Sequence, residues 1–166
     1  MADIKIAYGS AFDLTISLAS LGSDTNLLAG QESNAIDNTT DKMLDYLISG
    51  KITTGTSPTA SRSIQIWAVA SYDGTNWPDV FDGTDSAETI SLANIKNSSV
   101  CRLVDELSTT STSDQDYYFS GVSIARLFGS VPPKFVIFVT HNTGVNLNGT
   151  GANHVIRVQP VYRTVA

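Results

Sequence analysis

Apolar and polar positions alternate with a period of two along much of this chain. Leu14, Ile16 and Leu18 are separated by Thr15, Ser17 and Ala19, which predicts a strand with one buried face before the break at 22–26. The segment 41–54 carries two patterns: Met43, Leu44, Leu47 and Ile48 have helical spacing, whereas Leu44, Tyr46, Ile48 and Ile52 fall on one side of a strand. The β-branched KITT leading into the loop GTSPTAS makes the second half a strand. Ser63 to Tyr72 is the clearest strand, with Ile64, Ile66, Ala68 and Ala70 on one face and Trp67 and Val69 on the other. Apolar residues on both faces predict a central position in a sheet.

Beyond the turn at Asp73-Gly74, the pattern predicts a short element over 90–95 and a strand over 100–107 that alternates through Cys101, Leu103 and Asp105. The polar run STTSTSDQD at 108–116 reads as an exposed loop. Val122, Ala125, Leu127 and Phe128 lie on one side of a short helix near 122–128, ended by Gly129 and the pair Pro132-Pro133. The continuous FVIFV places a buried strand over 134–141, and a Gly- and Asn-rich turn leads to a last alternating strand over 154–165. Pro160 in that strand predicts an edge position or a bulge. Six or more strands, turn-rich connections and one short helix imply an all-β fold: a single domain, 1–166, built as an antiparallel β-sandwich of jelly-roll type. No period of 20–50 residues recurs, which argues against a solenoid or propeller.

Composition adds the character of the surface. Only 16% of residues are charged, against 20 Ser and 18 Thr, so hydroxyls and amides dominate the exterior. Ten basic and sixteen acidic residues give a net charge of −6 with no cluster of Lys or Arg, which makes nucleic acid and anionic membranes poor partners. MADIKIAYGS lacks the apolar stretch of a signal peptide, so the chain is expected to be made in the cytosol and to stay soluble. A single cysteine, Cys101, rules out an intrachain disulfide and reads as a small apolar strand residue.

Candidate chemistry is sparse. Asp73, Asp79, Asp82, Asp85 and Glu88 form an acidic stretch of the composition that calcium favours, but the alternating D-x-D-x-D-G order is missing. Asp-Gly at 73–74 and 82–83 is more simply turn chemistry. Tyr72 and Trp77 flank that loop and either stack on a ligand such as a sugar ring or staple the loop to the sheet. His141 and His154 stand near the two ends of the last proposed hairpin; with no third ligand nearby they read as polar strand-end residues rather than a zinc site. No G-x-S-x-G, P-loop or dinucleotide fingerprint is present, and neither a catalytic residue nor a cofactor is predicted.

The succession SGKITTGTSPTASRSIQIWAVASYDGTNWPDVFDGTDSAE, then ARLFGSVPPKFVIFVTHNTG, then VQPVYRTV, resembles small structural proteins encoded beside the major capsid protein of tailed bacteriophages. The likeness runs from about Ser49 to the C-terminus; the order of the motifs is distinctive, while each alone is a strand with its turn. It implies a jelly-roll capsid cement or decoration protein that sits on the outside of the virion as a homodimer or homotrimer and clamps neighbouring major capsid protein subunits. Within it, Tyr72, Trp77, Pro78 and Phe81 are the residues expected to meet a partner. SIQIWAVASYDGTNW also resembles the strand and turn of galactose-binding-like modules, which implies a carbohydrate-binding or receptor-binding role instead. The paired cysteines and clustered arginines of many such modules are missing here.

Overall fold

The alternating segments pair into two antiparallel sheets. The computed structural model describes residues 3–91 and 93–165. In chain order the strands are β1 (Ile4–Tyr8), β2 (Phe12–Asp13), β3 (Ala29–Glu32), β4 (Ile36–Asp37), β5 (Asp45–Thr53), β6 (Ser63–Ala70), β7 (Ser86–Thr89), β8 (Cys101–Ser108), β9 (Asp116–Ser123), β10 (Lys134–His141) and β11 (Val155–Val165). Short helices α1 (Asn38–Asp41) and α2 (Ile124–Phe128) and 3₁₀ turns at Ala93–Asn97 and Gly151–Asn153 complete the described elements.

The first sheet has the order β1-β11-β5-β9, with β2 also on β11; the second has β7-β3-β10-β6-β8, with β4 also on β10. The pairs nest: β1 with β11, β3 and β4 with β10, β5 with β9, β6 with β8. Successive pairs alternate between the sheets, as in one long hairpin wound around itself, and this is the topology of a jelly roll.

Between the sheets lies the main core. Tyr46, Ile48 and Ile52 of β5, Ile156 and Val158 of β11 and Phe119 of β9 meet Ile64, Ile66 and Ala68 of β6 and Phe135, Ile137 and Val139 of β10. A second apolar cluster covers the opposite face of the second sheet, where Val69, Cys101, Val136 and Phe138 pack under Phe81, Ile90 and Ile95 from the β6–β8 connection. Two covered faces explain why β6 and β10 read as apolar on both sides, and β6 is interior as expected.

Several expectations need correction. Residues 14–18 keep their alternating burial, with Leu18 1% exposed, but form no strand; the segment crosses between the sheets, with Leu14 N–H donating to Ile156 O and Ser17 N–H to Asp85. Pro160 stands in an interior strand, not at an edge: its carbonyl accepts from Gly9 N–H, so the side lacking a donor faces the stretch between β1 and β2 where the neighbouring chain leaves the ladder. A register shift between Ile66 and Trp67 inserts Val104 into β8, turning Cys101 to the outer cluster and Val104 to the main core and leaving Leu103 38% exposed. Helix α2 is shorter than predicted, because Val122 and Ser123 belong to β9; Ser123 caps it by accepting from Arg126 N–H, and Gly129 ends it at φ 82°. The proposed element at 90–95 includes Leu92, which lies outside the described residues; the strand in this region is β7 and a 3₁₀ turn begins at Ala93. In the loop after β8, Thr109 is buried rather than exposed, donating to Thr59 O and Arg62 O.

Candidate functional site

The loop that follows β6 is held by its own polar residues. Ser71 Oγ donates to Asn76 O and accepts from Gly74 N–H, while Asp73 accepts from the backbone N–H groups of Thr75 and Asn76 and from the Asn76 amide. These bonds, led by that from Asn76 N–H, hold the Asp73 carboxyl below the usual carboxylate range. Gly74 and Gly83 take the left-handed backbone that each turn requires, at φ 86° and 87°. Asp82 accepts from Thr84 N–H, the second instance of the Asp-Gly turn read from sequence.

Of the remaining acids, Asp79 and Asp85 tie the loop to other segments, while Glu88 bonds within β7. Asp79, at φ 55°, accepts from the N–H and hydroxyl of Ser91. Asp85 accepts from Ser17 N–H at 2.8 Å, Ser17 Oγ at 2.6 Å and the Gln31 amide at 2.7 Å, so it fastens the crossing segment 14–18 to the second sheet. Glu88 accepts from Ser86 Oγ. Among the described residues no three His, Cys, Asp or Glu side chains gather into a metal-binding group.

The four aromatic and proline residues singled out from sequence divide into two kinds. Phe81 is 4% exposed and stands edge-on to Phe138, ring centroids 5.4 Å apart at 84°. Pro78 is buried, and Trp77 is half-buried against the same outer cluster, its ring close to Gly83. Tyr72 alone is exposed, at 60%. It stands beside an open cavity of about 240 Å³ whose lining includes Pro78, Asp79, Asn94 and Ser98. The loop thus places one free aromatic ring over polar groups, with Phe81 and Pro78 as its foundation.

The histidines are separately engaged. His141 is fully buried; Nε2 donates to Leu21 O, and Nδ1 lies 3.0 Å from Thr143 Oγ1, whose own hydrogen is donated to Val145 O. His154 Nδ1 accepts from Thr53 N–H, so its Nε2 is the donor to Asn148 O. Burial lowers both pKa values. Cys101 is buried in the outer cluster and its thiol is pushed up to about 12 by that burial, so it stays protonated.

Sequence reasoning missed the β1–β11 ribbon. Ile4, Ile6, Tyr8 and Val165 are 69%, 68%, 63% and 69% exposed, although the alternation in IKIAY was there to be read. Strand β5 accompanies β11 only as far as Val161, so beyond it β1 and β11 form a two-stranded arm.

No protein-family model and no curated protein sequence matches the chain. Among solved structures, the unassembled KI polyomavirus VP1 pentamer is similar over 97% of this chain and 94% of that one, at 6% identity and a TM-score of 0.28. At that score the jelly-roll assignment rests on the strand order alone.

Proposed function

We propose that this protein is a non-enzymatic virion structural protein: a capsid cement or decoration protein that binds the outer surface of a bacteriophage head, as a homodimer or homotrimer, and clamps neighbouring major capsid protein subunits. The observation that carries the reading is how the polar groups are used. The acids of the 73–88 loop, both histidines and the cysteine hold turns, cross-links or core positions, and what faces outward is a hydroxyl-rich surface with exposed aromatic and aliphatic side chains. Such surfaces suit broad contacts that gain strength by repetition over many copies. The order of motifs from Ser49 onward supports the phage assignment in particular.

Tyr72 is the rim residue best placed to meet the shell. Co-sedimentation of the purified protein with empty heads, built from the major capsid protein of the same phage, is expected to show saturable binding. Tyr72→Ala is expected to weaken that binding about tenfold with no change in melting temperature, since a rim aromatic contributes to an interface and not to the core. Absence of wild-type binding to such heads would overturn the reading.

A second reading is favoured by the same cavity: an exposed ring beside Asp79, Asn94 and Ser98 also suits a sugar, which stacks through its ring face while its hydroxyls donate and accept hydrogen bonds. Binding on a glycan array, lost in Tyr72→Ala and unaccompanied by head binding, would select it.

A further inference from the structure

We propose that β1 pairs antiparallel with β1 of a second copy of this chain, about a two-fold axis at Ile6, joining the first sheets of both copies into one. The inference rests on the ribbon and does not depend on the capsid reading.

Strand β1 is an open edge: among the described residues its strand partner is β11, and its other side carries unpaired backbone groups that a further strand would satisfy. Ile4, Ile6 and Tyr8 share one face, which continues across the register onto Val165, Arg163 and Val161 of β11. A two-stranded ribbon with so much exposed apolar surface is marginal by itself, and a third and fourth strand would relieve this.

The other edges are defended. Strand β8 carries Arg102, Asp105 and Glu106; β7 has four residues, Glu88 among them; β9 begins at Asp116 and runs into α2. Strand β1 carries one charge, Lys5.

Its sequence is also self-complementary. With the axis at Ile6, Ile4 lies opposite the second copy's Tyr8, Ile6 opposite its twin, and Lys5 opposite Ala7, so all five residues pair and each apolar side chain meets another. Moving the axis to Lys5 would oppose lysine with lysine, which is unfavourable. Charge selects the same surface. Two chains of net charge −6 repel, yet the paired residues 4–8 and 161–165 carry only Lys5 and Arg163, with Asp3 beyond the strand's end and Asp13 ion-paired to Arg157, so copies approaching through the ribbon bring few carboxylates together.

Five paired residues and these side chains cover less than the roughly 800 Å² per partner of a stable interface, so the dimer is weak, with Kd on the order of 10–100 µM. Sedimentation velocity across that range is expected to show a monomer–dimer equilibrium, and Ile6→Lys to weaken it at least tenfold while leaving the circular dichroism spectrum unchanged. Ile6→Cys tests the register independently of folding: opposite cysteines at the axis are expected to cross-link under mild oxidation, while a control cysteine at exposed Tyr118 on β9 is not. Buried Cys101 supplies no background. A monomer throughout with no Ile6→Cys cross-link, a dimer indifferent to Ile6→Lys, or equal cross-linking at Tyr118 would each overturn the proposal.

Discussion

Glu32 lies wholly out of solvent in β3, and its carboxylate accepts from the backbone N–H groups of Gly83 at 2.7 Å and Asp82 at 3.3 Å. Burial raises its pKa to about 7, against the pull of those bonds, and Asp82 and Glu88 add to the rise. The folded chain therefore holds this proton more tightly than the unfolded one. Stability from this group is fully present below about pH 4.5 and is lost as pH rises through 7, by roughly 3 kcal/mol at most. His141 and His154 act in the opposite sense: with both lowered from 6.5 in the folded state, stability falls as pH drops below that value. Glu32→Gln isolates the first effect. Its melting temperature is expected to exceed the wild-type value by several degrees at pH 8 and to match it near pH 4.5; a difference independent of pH would refute the assignment. Gly30, two residues earlier, is fixed by space: a Cβ there would lie 2.3 Å from Val139 O and 2.6 Å from the Phe138 ring. Since the first of these is backbone within a paired strand, Gly30→Ala is expected to lower stability by about 1–3 kcal/mol in urea denaturation.

At the scale of elements, the β6–β8 connection behaves as a lid on the second sheet, and Phe81 is its anchor. Phe81→Ala is expected to cost about 3–5 kcal/mol, read from the urea midpoint, whereas Tyr72→Ala on the same loop is expected to cost less than about 0.5. Similar costs for both would mean that the exposed ring is also structural. This split shows what the sequence made legible. The two-faced apolar pattern of β6 and β10 announced buried strands, and Asp-Gly announced the turns, because both signals are local. Which aromatic points inward depends on what the loop folds over, and SYDGTNWPDVF carries no local sign of that. Strand β9 was hidden because DYYFSGVS runs directly into the helical IARLF, so one apolar run serves two elements. The inserted Val104 defeated the period-two reading of β8, since one extra residue exchanges the two faces.

Over the whole molecule the strand order is a nested series, and its outermost pair joins Ile4 to Val165. The innermost pair, β6 with β8, needs the shortest closure, whereas β1 with β11 must close a loop of almost the full chain, an entropic cost met only after the inner strands are ordered. Synthesis runs the other way. Ile4, Ile6 and Tyr8 are made well before their pairing partners in β11, on the order of ten seconds earlier at typical elongation rates. For that interval the growing polypeptide carries an apolar segment whose mate does not yet exist, so its protection from neighbouring chains must come from outside the fold.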